Sequence, residues 1–305
     1  MKLENIKKVL ENYKLGSLKD CKKISHGFAN LNFKITTANG NFLFRINKHQ
    51  ELSTIQYELR VLNELKKINF PTAYPISRRD DRFITVTAED KIVIYDFIEG
   101  EIPDINIRTV SEMATAAARL NSIPNWQKFT KKNAINIDNC FDLMGKFDTA
   151  KCKYPEVFKH FSEQTEYLDK YVRENLPQGI IHSDLFPDNT IFKDNKLIAF
   201  IDFEEVCTDD LIFEVGMAIN GFCFINNELD ADLLKIFVQS YHLVRPLSQM
   251  EMELLPFYIQ WTAHGMVSWH LQHLLEREYD RQLDRTNELI SRVKKIRKIN
   301  KWELI

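Results

Sequence analysis

The sequence has no excess charge of one sign and no long apolar run, and these two absences exclude common classes of protein. Its 41 Lys and Arg residues are matched by 43 Asp and Glu residues, so the net charge is -2. A protein that tracks the phosphates of nucleic acid would usually be more basic. The sequence contains no run of about 18 apolar residues, and its N-terminal segment lacks the apolar core of a signal peptide. We therefore expect neither nucleic acid nor a membrane as a partner.

Cysteine is also scarce. The five cysteines are scattered, odd in number, and show neither a Cys-x-x-Cys nor a Cys/His metal spacing. Disulfide frameworks are typical of secreted proteins, whereas isolated thiols are typical of a reducing compartment. The sequence therefore predicts a reduced, cytoplasmic protein.

The apolar pattern divides the 305 residues into two parts. Short alternating segments predict three strands within 22–46, a helix at about 53–68 with an apolar stripe, and two strands between 82 and 97. Ser53 with Gln56, and Ser248 with Glu251, are predicted to form capping boxes at the starts of helices. From about residue 106, long amphipathic segments predict helices, interrupted by a β-hairpin at 190–202. The order predicts an α+β protein with a small β-rich lobe, residues 1–97, and a larger helical lobe, residues 98–305.

The most informative stretch is IIHSDLFPDNTIFKDNKLIAFIDFEEV, at 180–206. Phosphoryl transfer needs a carboxylate that accepts the proton of the attacking hydroxyl, and oxygen ligands for the Mg2+ that the nucleotide phosphates carry. Asp184 is the candidate base, and Asn189 and Asp202 are the candidate metal ligands. Alternatively His182, Asp184 and Asp188 are ordinary polar loop residues, since a single Asp-x-x-x-x-Asn spacing is common by chance. The full string, flanked by apolar strands, favours the catalytic interpretation.

Four segments resemble one known family. They are HGFANLNFKITT, IIHSDLFPDNTIF, IDFEEVCTDDLIFEVGMAINGFCF and YHLVRPLSQMEMELLP. They are similar to the aminoglycoside phosphotransferase and choline kinase family, which has the protein-kinase-like fold, and within it to the homoserine kinase branch. The resemblance implies a nucleotide-covering N-terminal lobe, a C-terminal lobe that binds a small-molecule alcohol acceptor, and ATP with Mg2+ as the phosphoryl donor. It also implies a bracing role for His182.

The resemblance places the nucleotide in the N-terminal lobe. A phosphate-covering turn would offer backbone N–H groups, Arg45 would contact the phosphates with Glu58 as its ion-pair partner, and one segment would bind adenine. The candidates are Gly27, Phe28, Ala29 and Asn30 in the turn, Arg45 and Glu58, and Tyr95, Asp96, Phe97 and Ile98 for adenine. The alternatives are a β-turn without a phosphate role, a surface Arg and a solvated Glu.

The acceptor pocket is expected beside the catalytic loop, walled by the C-terminal helices. Its candidate residues are Asn220, Arg245, Trp261, His264 and Trp269. Homoserine requires a cation for its carboxylate, for which Arg245 is the first candidate. A cationic alcohol such as choline or an aminoglycoside would instead use aromatic residues and nearby acids, namely Glu204, Glu205, Asp209 and Asp210. Core packing is the alternative for all of them, and Asn121 and Glu214 are interpreted as structural.

Two classes of function remain open from the sequence. The first is an active small-molecule kinase, and the second is a kinase-like nucleotide-binding module without catalysis. The presence of Asp184, Asn189 and Asp202 favours the active enzyme.

Overall fold

The computed structural model describes residues 3–24, 30–146, 154–172, 175–277 and 280–298, with side chains except at 273–282. The chain divides into two compact units. The first consists of Met1–Glu101 and Ile198–Glu204, and the second of Ile102–Leu197 and Glu205–Ile305. The sequence predicted a single division at residue 97, and it did not predict that residues 198–204 belong to the first unit.

The first unit combines one antiparallel sheet with two helices. The strands stand in the order β1-β2-β3-β5-β4. The elements are α1 (Leu3–Leu10), β1 (Leu18–Ile24), β2 (Leu31–Thr37), β3 (Gly40–Asn47), α2 (Leu52–Lys67), β4 (Ile84–Val86) and β5 (Lys91–Asp96). The predicted order of three strands, a helix and two strands is confirmed, although β1 begins earlier than expected.

Local sequence explains the hairpin and both helices of this unit. Gly40 has φ of 139°, a conformation that glycine adopts without a steric penalty, and it pairs with Thr37 across the turn. Ile6, Val9 and Leu10 of α1 are buried against the sheet in one apolar cluster. The α2 stripe is buried as predicted, but the predicted capping box at its start is wrong, because Glu51 is the N-cap and makes no side-chain bond there.

The remaining elements are mostly helices, and β8 runs across the division between the units. They are α3 (Ile107–Asn121), α4 (Ile137–Lys146), α5 (Pro155–Leu168), β6 (Gln178–Ile181), β7 (Thr190–Lys193), β8 (Lys196–Phe200), β9 (Cys207–Asp210), α6 (Leu211–Phe222), β10 (Phe224–Ile225), β11 (Glu228–Leu229), α7 (Ala231–Val244), α8 (Gln249–Arg277) and α9 (Asp280–Lys298). Among the residues described, every helix is too short or too polar to cross a bilayer.

Helix α6 forms the centre of the second unit and is buried along nearly its whole length. A Cβ at Gly216 would lie 2.6 Å from the Tyr258 carbonyl oxygen, so glycine permits α6 to approach α8 closely. A Cβ at Gly221 would lie 2.8 Å from the Leu185 carbonyl oxygen. The same helix therefore packs directly against the loop that carries Asp184.

The antiparallel pair of β6 and β9 was missed by the sequence analysis. The pair is short, and its register joins Ile181 to Cys207. The candidate base follows directly after β6, so this pairing positions the start of the catalytic loop.

Candidate active site

Asp202 lies in the first unit and forms an ion pair with Arg45. Arg45 Nη1 donates to Asp202 Oδ1 at 2.9 Å, and Arg45 Nε donates to Asn32 Oδ1 at 3.2 Å. The Arg45 side chain is 7% exposed and that of Asp202 is 30% exposed. Burial opposes the charge of Arg45, but the Asp202 carboxylate and other acidic neighbours outweigh it and raise the pKa of Arg45. The ion pair thus keeps the partly exposed Asp202 carboxylate next to the buried Arg45 guanidinium.

The predicted ion pair between Arg45 and Glu58 was wrong. Glu58 is buried on α2, and its Oε1 accepts a hydrogen bond from the Tyr95 hydroxyl at 3.0 Å. Burial raises the pKa of Tyr95, so its hydroxyl stays protonated and can donate. Arg45 instead forms its ion pair with Asp202, while the negative charge of Glu58 adds to the rise in the pKa of Arg45.

Of the predicted phosphate-covering turn, Gly27, Phe28 and Ala29 lie outside the described residues. Asn30 is described, and its Nδ2 donates to Glu204 Oε2 at 2.7 Å. Its amide oxygen accepts a hydrogen bond from the Lys48 N–H at 3.4 Å. Asn30 therefore connects the start of β2 to the residue two positions after Asp202.

The segment expected to contact adenine, 95–98, continues from β5. The Asp96 N–H already donates to the Tyr74 carbonyl oxygen at 2.9 Å. The Phe97 ring lies 4.2 Å from the Lys34 ammonium. The Asp96 N–H is therefore not available for adenine, and the adenine-binding role of 95–98 stays a prediction.

The structure brings Asp184 and Asn189 together in the second unit. Asn189 Nδ2 donates to Asp184 Oδ2 at 2.7 Å and to the Asp184 carbonyl oxygen at 2.8 Å. Pro187 begins a short 3-10 turn that ends at Asn189. The Asn189 side chain therefore orients the Asp184 carboxylate, and its own amide oxygen is directed away from that contact.

Glu214 on α6 anchors the backbone just before Asp184. Its two carboxylate oxygens accept the His182 N–H at 2.6 Å and the Ser183 N–H at 3.0 Å. Burial raises the pKa of Glu214 to about 7, an effect that these two hydrogen bonds oppose. The expectation that Glu214 and His182 are structural agrees with this arrangement, since His182 is fully buried.

Two residues of the candidate site have left-handed backbone conformations without being glycine. Ser183 has φ of 72° and Asp202 has φ of 64°. Such conformations cost on the order of 1–3 kcal/mol each and persist only where surrounding contacts enforce them. They cluster at functional sites, and here they occur beside the candidate base and at the candidate metal ligand.

Asn133 is a neighbour of the catalytic loop that the sequence analysis missed. It is buried in the loop between α3 and α4, where its Oδ1 accepts a hydrogen bond from Ser183 Oγ at 3.3 Å. A single Asn in a loop carries no motif, and Ser183 lies 50 positions further along the chain. No local signal in the sequence could have identified this contact.

Arg245 lies in a buried network behind β6. Asn121 donates to the Ile180 carbonyl oxygen at 3.0 Å and accepts from the Tyr241 hydroxyl at 2.7 Å. Arg245 donates to that hydroxyl at 3.4 Å and forms an ion pair with Glu251 at 2.8 Å. Its charge is thus neutralised within the protein, which disfavours Arg245 as the cation for an acceptor carboxylate.

The other acceptor-pocket candidates are packed among core residues, with one exception. Asn220 donates to the Ile259 carbonyl oxygen at 2.8 Å, which joins α6 to α8. His264 bonds Thr165 Oγ1 at 2.8 Å, and Trp261 is 4% exposed beside it. Trp269 is 49% exposed at the surface of α8. This arrangement favours the core-packing alternative for the three buried residues.

Three of the four acids proposed for a cationic acceptor have partners, and the fourth, Glu205, is exposed. The Asp209 carboxylate accepts from Asn133 Nδ2 at 2.7 Å, and that of Asp210 accepts from the Tyr258 hydroxyl. Burial raises the pKa of Asp209 to about 6. Carboxylates that are already hydrogen-bonded and partly neutralised are poorly suited to bind a quaternary ammonium group.

Comparison with known proteins agrees with the geometry. The model of the phosphotransferase enzyme family matches residues 20–252. A homoserine kinase of Rhodospirillum rubrum is 28% identical over 89% of this chain and 84% of its own length. A homoserine kinase of Parvibaculum lavamentivorans is 29% identical over 91% of this chain and 85% of its own length.

A solved structure shows the same fold. An amicoumacin kinase in complex with AMP-PNP and Ca2+ superposes with a TM-score of 0.77, at 12% identity, over 100% of this chain and 98% of its own. At this identity the likeness concerns the fold alone. The expected α+β, protein-kinase-like fold is confirmed.

Proposed function

The chain belongs to the phosphotransferase enzyme family, and from this premise we propose that it transfers the γ-phosphate of ATP to the side-chain hydroxyl of homoserine. The observation that carries the proposal is the similarity to homoserine kinases along about nine tenths of the chain. Asp184 and Asn189, oriented on one loop, supply the chemistry that such a transfer needs.

In this proposal Asp184 accepts the proton of the homoserine hydroxyl. The hydroxyl oxygen then bonds to the γ-phosphorus, the bond from that phosphorus to the β,γ-bridging oxygen breaks, and ADP leaves. Asn189 holds the Asp184 carboxylate in one orientation by donating to Oδ2. A base held in this way contributes roughly 10²–10⁴-fold to the rate.

Mg2+ prefers hard oxygen ligands such as carboxylates and amide carbonyls, and each unit contains a donor of this kind. In the first unit Asp202 offers a partly exposed carboxylate. In the second unit Asn189 offers its amide oxygen, since its hydrogen bonds to Asp184 use the amide nitrogen. When bound, the ion would neutralise charge on the nucleotide phosphates. Arg45, which is fixed by Asp202 and Asn32, is the candidate cation for the same phosphates.

Similarity favours homoserine over a cationic alcohol, and three of the four acids proposed for such an alcohol already have partners inside the protein. The acids at Asp209 and Asp210 are engaged inside the protein. Glu204 accepts from Asn30. A trimethylammonium group would therefore have to compete with existing hydrogen bonds for these acids.

The test is a panel of acceptors at matched concentration, with release of ADP as the readout. The panel contains homoserine, the amino diol in which its carboxylate is replaced by a hydroxymethyl group, choline and an aminoglycoside. We expect kcat/KM to be largest for homoserine and at least roughly tenfold lower for the amino diol, since a site built to bind a carboxylate discriminates against its absence. Larger kcat/KM values for choline or the aminoglycoside would contradict the proposal, and no ADP release with any acceptor would favour a nucleotide-binding module without catalysis.

A further inference from the structure

The loop between α3 and α4 is fixed to the strand β9. The Thr208 N–H and its hydroxyl both donate to the Lys131 carbonyl oxygen, at 2.8 and 3.2 Å. Lys132 and Thr208 also form an isolated parallel bridge. Asn133 follows directly, so its position is set by contacts of the backbone just before it.

The Asn133 side chain joins three segments of the second unit. Its Nδ2 donates to Asp209 Oδ2 at 2.7 Å. Its Oδ1 accepts from the Ile135 N–H at 2.9 Å and from Ser183 Oγ at 3.3 Å. Asn133 is 5% exposed, so these contacts are shielded from water. The Asn133 amide group is hydrogen-bonded at both its nitrogen and its oxygen, so it cannot rotate without breaking at least one of these hydrogen bonds.

Ser183 is the residue directly before the candidate base, and its conformation requires support. With φ of 72° it occupies the left-handed region, which a residue with a side chain adopts only under constraint. Glu214 restrains its backbone by accepting the N–H at 3.0 Å. Asn133 restrains its side chain by accepting the hydroxyl proton. Rotation about this backbone would redirect the Asp184 carboxylate that follows.

We propose that Asn133 is a positioning residue of the phosphotransfer reaction, which aims Asp184 by holding the hydroxyl of Ser183. The inference rests on the proposed function of Asp184 as the base. A displacement of about 1 Å at a reacting group can cost on the order of 10²-fold in rate. Asp209 contributes to the same positioning, because it accepts a hydrogen bond from the amide nitrogen of Asn133.

The experiment compares Asn133→Ala, Ser183→Ala and the double variant with the wild type, using the acceptor with the highest kcat/KM. We expect Asn133→Ala to lower kcat by roughly ten- to a hundredfold. The KM for ATP should stay within about twofold, because the nucleotide is bound by other residues. Ser183→Ala should lower kcat to a similar extent, since it removes the same hydrogen bond from the other side.

The double variant tests whether the two residues act through one contact. If they do, the double variant should be little worse than Asn133→Ala, whereas independent residues would multiply their effects. Asn139→Ala is the matched control, because Asn139 is exposed and bonds the Ala134 carbonyl oxygen in the same loop at 2.7 Å. It should keep the wild-type kcat.

The outcomes separate this inference from the proposed function. A wild type that does not phosphorylate homoserine overturns the proposed function, and the variants are then compared on whichever acceptor it does phosphorylate. An active wild type with unchanged kcat in Asn133→Ala, or with multiplicative effects in the double variant, overturns the positioning role. If Asn133→Ala does not fold, Ser183→Ala decides alone, and an unchanged kcat in that variant overturns the inference.

Discussion

The catalytic loop and the middle of α8 both carry polar and aromatic residues, but they use them differently. In the loop, the backbone of His182 and Ser183 is held by Glu214, and the side chains of Asp184 and Asn189 are bonded to each other. In α8, the polar side chains serve packing between helices. His264 stacks on a ring of α5 and bonds a threonine there.

The comparison shows that the role of a polar residue can be inferred from its hydrogen-bond partners. A polar side chain that neighbouring groups orient toward a second functional side chain is a candidate for chemistry. A polar side chain whose hydrogen bonds all join one helix to another is a candidate for stability. Sequence motifs identified the first region, whereas residue type alone could not distinguish the roles in the second.

The largest effect is expected at the catalytic loop, with Asp184→Asn. The amide cannot accept a proton, so kcat should fall by roughly 10²–10⁴-fold. Binding of ATP should be nearly unchanged, because a base acts on the acceptor. Steady-state kinetics and calorimetry with ATP and Mg2+ measure the two quantities. Retention of most of the wild-type kcat would place the base elsewhere.

A smaller effect is expected at the ion pair of Arg45 and Asp202. Asp202→Ala should weaken magnesium-dependent binding of ATP as well as turnover, because it removes a charged metal ligand. Arg45→Ala should raise the KM for ATP, while Arg45→Lys should be mild because a point charge can still reach phosphate. Calorimetry at several Mg2+ concentrations tests the first change. An unaltered magnesium dependence in Asp202→Ala would mean that the ligand is another residue.

In α8, His264→Phe should change stability and not activity. Burial lowers the pKa of His264 to about 3, so the unfolded chain takes up a proton that the folded protein does not. The unfolding free energy therefore falls as the pH falls from about 6.5 toward 3. Between pH 7 and pH 5, the wild type should lose about 2 kcal/mol more than the variant.

Urea unfolding at the two pH values measures this difference, and kcat on homoserine serves as the control. An equal loss of stability in both proteins would show that His264 does not titrate as a buried neutral group. A large fall in kcat would instead support the prediction that His264 lines the acceptor pocket.

The smallest effect is expected for Trp269→Ala. This side chain is half exposed, and its ring contacts that of the neighbouring His270. Exposed substitutions of this kind change stability by about 0.5 kcal/mol or less. The KM for homoserine should stay within about twofold of the wild type. A steep rise in that KM would restore the original assignment of Trp269 to the acceptor pocket.

Much of the fold followed from local patterns. Alternation of apolar residues predicted the hairpins of the first unit, and Ser248 with Glu251 predicted the start of α8 correctly, since each backbone N–H bonds the other side chain. The pairing of β6 with β9 could not be predicted, because short strands far apart in the chain leave no local signal. The family and the class, a small-molecule kinase with a hydroxyl acceptor, are confirmed.

The candidate site, like the fold, was predicted in part from the sequence. Spacing identified Asp184 and Asn189, which the fold brings into contact, while their catalytic and metal-binding roles stay predictions. The partner of Arg45 was assigned to the nearest suitable helix, but the actual partner, Asp202, lies 157 positions away. Contacts at such separations depend on the packing of the whole unit, which spacing does not encode.

The most direct test of the account is to identify the product formed from ATP and homoserine. Wild type and Asp184→Asn are incubated with both, and phosphorus NMR follows the phosphate ester and ADP together. The account predicts a phosphate ester on the homoserine hydroxyl, formed in equal amount to ADP by the wild type and nearly absent with Asp184→Asn. Formation of ADP without the ester, or an ester formed equally by the variant, would contradict it.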